Sequence, residues 1–190
     1  MKIGEARNAY YAQYQKFSSA AADVAKRKEE AQRNARLHPM QAKEFEEEAA
    51  TLELSFEALH SKAEEYLNYQ SEIIEMEVAL TNMESAKQQG EAMEASAAEE
   101  MKIMETARRI MKGDIVPPQD EEKLMKFNFK LYMAAKNMGM LAKEHEEDES
   151  LWEDEEEAGE KVDPMEFADS QEAPEGGPSL DLEVSDVVSE

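Results

Sequence analysis

Residues 39–112 contain no proline after Pro39 and a single glycine, Gly90. Nothing else in that stretch interrupts a helix, and its apolar residues recur at helical spacing. Phe45, Ala49, Leu52, Phe56, Leu59, Ala63 and Tyr66 step by four and three. Ile73, Met76, Leu80 and Met83 carry the step onward, and Ala97, Met101, Met104, Ile110 and Met111 resume it. That alternation specifies a helix with one buried stripe. About 73 residues rising 1.5 Å each make a rod of roughly 110 Å. A globular core has no use for so long a helix, so the stretch points to a coiled coil or to shorter helices folded back along a long one.

The flanking segments supply those shorter helices. Ile3, Tyr10, Phe17, Val24 and Ala31 lie seven apart, with Tyr14, Ala21 and Ala35 on a companion seam and Arg7 and Lys28 as its charged exceptions. Two interleaved seven-residue series are a coiled-coil pattern. His38-Pro39 ends this first helix, because a residue before proline is pushed out of the α region. Pro39 itself suits the first turn of the next helix, and so short a connection makes the two helices antiparallel neighbours.

The second helix weakens between Glu84 and Glu100, where the seam is Ala86, Gly90, Met93 and Ala97. Small residues bury little area, and a mid-helix glycine costs about 1 kcal/mol relative to alanine. The helix is therefore expected to be continuous or kinked near Gly90. Gly113 supplies its C-terminal cap. In the following linker, Ile115 and Val116 are expected to fold over the end of the bundle. A third helix is expected from about residue 119, with Asp120, Glu121 and Glu122 at its positive end and Leu124, Phe127, Leu131, Ala134, Met138 and Leu141 as its seam. The expected fold is all-α: long helical hairpins or an antiparallel coiled coil, with helices over about 3–37, 40–112 and 119–146. The helical module spans 1–143, followed by a disordered acidic tail over 147–190.

The charge distribution motivates that tail. Of the net charge of -24, residues 144–190 carry -19, with Lys161 their only basic residue. Gly, Pro, Ser and acidic residues dominate there, a composition that buries too little apolar surface to offset its chain entropy. Trp152 and the terminal Leu180, Leu182, Val184, Val187 and Val188 are apolar islands within it. The start of the chain is instead mildly basic. Lys26-Arg27-Lys28 with Arg33 and Arg36 suggests nucleic acid, but the interleaved Glu29 and Glu30 explain it as intrahelical pairing. The same basic face is an alternative berth for the chain's own acidic tail.

No cofactor, metal or catalytic site is expected. The absence of cysteine excludes thiolate chemistry and disulfides. Glu57 and His60 have the Glu-x-x-His spacing of di-iron bundles, but neither His38 nor His145 repeats it. No phosphate-binding glycine loop is present. The first residues lack the apolar core of a signal peptide and no apolar run is long enough to span a bilayer, which makes the cytoplasm the expected location.

Methionine usage is the remaining signal: ten of thirteen lie between Met76 and Met140. Such adaptable side chains fill loose cores and also recur on promiscuous binding surfaces. The third helix carries more apolar directions than one hairpin seam accommodates. Phe129, Tyr132, Met125 and Met133, with Ile115, Val116 and Trp152, are therefore the candidate partner-binding residues. The expected function is a non-enzymatic helical adaptor or chaperone-like module that binds another protein or a second copy of itself. The alternatives are a structural coiled-coil oligomerisation component and an acidic-tail handler of basic proteins or nucleic-acid mimic. Membrane insertion and nucleic-acid binding are not expected.

Overall fold

The computed structural model describes residues 1–142, 147–152 and 161–188, and all structural statements concern those residues. The fold is all-α, with helices α1 (Ile3–Leu37), α2 (Ala42–Lys112), α3 (Pro118–Phe127), α4 (Phe129–Gly139), α5 (Pro164–Ser170) and α6 (Val184–Val188). Among the described residues the only β pairing is two isolated bridges, Lys2 with Glu172 and Ile115 with Glu147. No described helix is long and apolar enough to cross a membrane. The chain divides into two units, Met1–Glu84 with Val162–Glu190, and Ser85–Lys161.

In the first unit α1 and the beginning of α2 form an antiparallel hairpin. His38 and a 3-10 turn at Pro39–Gln41 reverse the chain. Lys28 then pairs with Glu53 at 2.7 Å, Phe17 stacks on Tyr66 with ring centroids 5.4 Å apart, Tyr10 meets Tyr69 edge-on at 4.6 Å, and Arg7 pairs with Glu77 at 2.5 Å. Partner numbers rise as α1 numbers fall, which is the antiparallel register. The seven-residue series built this core: Ile3, Tyr10, Phe17 and Ala31 are all buried. The two charged exceptions in the seam, Arg7 and Lys28, each face a carboxylate across the hairpin, so neither is left as an unpaired charge.

The C-terminal segment departs from the expected disorder. Residues 162–188 lie along this hairpin. Asp163 caps α5 by accepting hydrogen bonds from the Met165 and Glu166 amides at 2.9 and 3.1 Å, with Pro164 in the first turn. The chain then adds main-chain bonds to the start of α1, from Ile3 N to Gln171 O and from Ala173 N to Met1 O, both 2.9 Å. Tyr69 donates to Pro174 O, Tyr66 to Ser179 O at 2.5 Å, and Gln13 to Leu180 O at 2.5 Å. Leu180, Leu182, Val184 and Val187 are partly buried against the hairpin core. Composition misled here because it averages over the segment. A few well-placed apolar residues and side-chain donors on the hairpin hold a stretch whose mean charge argued for solvation. Arg7 and Lys16 engage it with charge, at 3.7 Å from Asp169 and 2.7 Å from Glu183. Residues 153–160 and 189–190 of the expected tail lie outside the described residues.

Burial raises the pKa of the Tyr10, Tyr66 and Tyr69 hydroxyls, with neighbouring acidic groups adding to it for Tyr66 and Tyr69. A raised folded-state pKa means that the stabilisation is fully present below the unfolded phenol value of about 10 and is lost as pH rises through the folded values. Alkaline titration should therefore show a late phenolate absorbance phase that coincides with release of residues 172–188, seen as sharpened tail amides by NMR. Release of the tail before any late phenolate phase would show that these hydroxyls do not hold it.

α2 runs through Gly90 without interruption. A Cβ at Gly90 would meet nothing within 4 Å. Gly90→Ala should accordingly raise thermal stability by about 1 kcal/mol; a loss in melting temperature would mean that the position requires glycine.

The second unit differs from expectation in its third helix, which is two. Asn128 adopts an extended backbone between α3 and α4, and its side chain accepts the Leu131 amide at 3.1 Å. A cap-forming asparagine thus divides what the apolar spacing joined. α4 folds back on α3, with Tyr132 and Lys136 both donating to Glu121, at 3.1 and 2.6 Å. The expected extension of the third helix over 143–146 lies outside the described residues. Gly113, at φ 96°, takes the left-handed cap conformation that ends α2. At Gly139 a Cβ would collide with the Ile110 carbonyl oxygen, so glycine is what lets α4 close against the end of α2. The core comprises Ile103, Ala107, Ile110, Val116, Leu124, Ala135 and Trp152. Of the expected third-helix seam, Leu124 is buried and Leu131 is half-buried, while Phe127, Ala134, Met138 and Leu141 are exposed.

Candidate functional site

The break at Asn128 has a consequence for α2. An unbroken third helix of the expected length would have reached back along α2 to about Met83. α3 instead stops after ten residues, and a groove of about 350 Å³ between Ser96, Glu99, Ile103, Lys123 and Phe127 marks how far it reaches. Residues 89–101 of α2 are consequently exposed on every face.

The expected seam through this region is intact in sequence but uncovered. Met93, Met101 and Met104 are 74%, 70% and 57% exposed, and Ala86, Gly90 and Ala97 on the same stripe are exposed too. The second unit's core instead uses the neighbouring phase, Ile103, Thr106, Ala107 and Ile110. Two stripes thus run along the end of α2, one buried and one open. Charge frames the open stripe at its C-terminal end. Arg108 holds the Glu105 carboxyl down to about 2, first through its hydrogen bond, with Arg109 assisting. Glu105 therefore stays ionised at any neutral pH, and the stripe ends in a fixed ion pair.

The candidate residues chosen from sequence separate into three groups. Phe129 (58% exposed), Met133, Met125 and Ile115 are exposed. Phe129 and Met133 lie four apart on one face of α4. Val116 and Trp152 are buried in the unit's core and are not available to a partner, which corrects their assignment. Val116 caps the end of the core, as a turn residue folded over a bundle does. Trp152 is drawn in because Asp120, 1% exposed, accepts hydrogen bonds from Ser150 Oγ at 2.7 Å and Leu151 N at 3.1 Å. Lys123 then stacks over the indole at 4.0 Å. Tyr132 is intermediate. It packs partly on the core, and burial followed by its hydrogen bond to Glu121 raises its phenol pKa.

Met93, Met101 and Met104 were legible as a stripe but not as a surface. The signal that separates the two is the asparagine that shortens α3. Of the sequence pair with metal-ligand spacing, His60 lies 3.6 Å from Glu64. Among the described residues no group of three or more potential ligands is close enough to hold a metal. No protein-family model, curated protein or solved structure matches this chain.

Proposed function

We propose that the chain is a non-enzymatic helical protein-binding module of the adaptor or chaperone-like kind, and that its binding face is the open methionine stripe of α2. The observation that carries this reading is the solvent exposure of Met93, Met101 and Met104 on a helix whose residues 89–101 are all exposed. An isolated helix is marginal in water, so a partner that covers the stripe stabilises the helix as well as burying apolar surface. Methionine suits a face that must adapt to a partner's shape. The exposed Phe129 and Met133 offer a second apolar surface on α4.

Ala86 and Gly90 on the same stripe favour a second reading, an oligomerisation component, because small residues allow another helix to approach closely. In either case the antiparallel hairpin is an intramolecular coiled-coil-like support. A tail that handles basic proteins draws less support, since much of the acidic segment is engaged on its own hairpin. Met101→Glu/Met104→Glu substitutes exposed positions and should leave helicity intact while abolishing partner capture from native extract, or self-association in sedimentation. Unchanged capture and unchanged sedimentation would place the binding face elsewhere.

A further inference from the structure

The hairpin face under residues 174–188 has the organisation of a peptide groove. Four side-chain donors line it in two pairs, each three residues apart on one helix: Gln13 and Lys16 on α1, Tyr66 and Tyr69 on α2. Their acceptors are main-chain carbonyls of Pro174, Ser179, Leu180 and Leu182, the last at 3.5 Å from Lys16. Such contacts recognise a peptide backbone rather than particular side chains. Selectivity comes from three further features. Leu180 and Leu182 pack on the core ahead of α6, and Val184, the first residue of α6, packs there too. Lys16 takes an acidic side chain, Glu183, at 2.7 Å. Gly177 passes over the tyrosines so closely that a Cβ would stand 2.6 Å from the Tyr10 hydroxyl.

The resident segment fills this groove incompletely. Beside α6, an open cavity of about 740 Å³ is bounded by Leu54, Ser55, Ala58, Leu182 and Val187. Leu54 remains 68% exposed within it, and α6 has no buried residue. The Gln13 amide oxygen is buried without a hydrogen-bond partner among the described residues. An occupant with larger apolar side chains at the valine positions has space and contacts that this one does not use.

We propose that this face is a groove for an acidic peptide of another protein that ends in a short helix, and that the chain's own C-terminal segment is its displaceable resident. The peptide carries a glycine at the tyrosine crossing, apolar residues where Leu180, Leu182 and Val184 lie, an acidic residue for Lys16, and bulkier apolar residues where Val187 and Val188 lie. The proposal concerns the first unit alone and stands apart from the methionine stripe.

The test uses full-length protein and fluorescein-labelled synthetic peptides. One peptide has the sequence of residues 172–188, and a second has phenylalanine at the positions of Val187 and Val188. A tethered segment competes at an effective concentration on the order of millimolar. Full-length Leu180→Asp/Leu182→Asp, whose own segment is released, should therefore bind the first peptide at least ~10-fold more tightly than wild type. The phenylalanine peptide should bind more tightly still, and a peptide with both leucines replaced by aspartate should not bind. Should the double variant lose its helicity, wild type titrated with the phenylalanine peptide provides the reading: the amides of residues 172–188 should sharpen in NMR spectra as the segment leaves. Failure of a helical, released variant to bind either peptide overturns the proposal, as do tail amides in wild type that do not respond to excess peptide. Reciprocal exchange of the segment between chains, seen as a concentration-dependent dimer, would assign the groove to a second copy and likewise overturn it.

Discussion

Phe17→Asp should abolish the folded first unit. Phe17 is fully buried and lies stacked on Tyr66, the largest fully buried side chain of the hairpin. Truncating a buried phenylalanine costs about 3–5 kcal/mol through lost transfer energy and the residual cavity. An aspartate adds the penalty of a buried charge, and Arg7 and Lys28 are already engaged with Glu77 and Glu53. Against a typical domain stability of about 5–15 kcal/mol, that loss is large enough to unfold the hairpin at moderate temperature. The C-terminal segment should be released at the same time, because Tyr66 and Tyr69 hold its carbonyls. Thermal unfolding followed by circular dichroism, with tail amide protection followed by NMR, checks both effects. Leu54→Asp, at an exposed position on the facing helix α2, should change stability by no more than about 0.5 kcal/mol. Equal melting temperatures for Phe17→Asp and wild type would mean that this stripe faces water.

Asp120→Ala should loosen the second unit around its only tryptophan. The carboxylate is buried and accepts from the Ser150 hydroxyl and the Leu151 amide. Ser150 Oγ in turn receives bonds from the Trp152 amide at 3.2 Å and the Gln119 side chain at 2.8 Å. Removing the acceptor leaves a buried amide unpaired, at a cost of about 1–3 kcal/mol, toward the upper end because a charged acceptor is lost. Trp152 is the only tryptophan in the chain, so its fluorescence reports the event directly. The emission should shift to the red well below the wild-type unfolding temperature. Asp120→Asn keeps one acceptor oxygen and should lie between the two. An unshifted emission profile in Asp120→Ala would show that apolar packing alone holds residues 150–152.

The all-α class, the boundaries of α1 and the position of the first reversal were legible in the sequence. Their causes are local: seven-residue apolar spacing, the conformational restriction before Pro39, and the helical preference of a stretch with almost no glycine or proline. Ile3, Tyr10, Phe17, Ala21 and Ala31 of α1 and Ala49, Leu59, Ala63, Tyr66 and Ile73 of α2 are buried as the same spacing implied, because each helix has its partner immediately adjacent in the chain, whereas Ala6 and Tyr69 are buried off those series. The end of α2 at Gly113 followed from the requirement for a left-handed cap.

Tertiary structure decided three things that local pattern could not. The first was which of two stripes on the end of α2 is buried. Met101–Met104 and Ile103–Ile110 both have helical spacing, and the choice depended on where α3 lies after Asn128 divides it from α4. The second was the fate of individual apolar residues near the reversal. Val116 and Trp152 enter the core while Ile115 and Phe129 stay in water, because the Asp120 bonds to residues 150 and 151 draw in one segment from about thirty positions away. The third was the C-terminal segment. Its capping signal, Asp163-Pro164, is local, but the energy that holds residues 171–188 comes from Tyr66, Tyr69, Gln13 and Lys16, more than a hundred positions earlier. Composition and periodicity describe what a segment prefers by itself; whether apolar surface and carbonyl groups leave water depends on donors and cavities that exist only once the rest of the chain has packed.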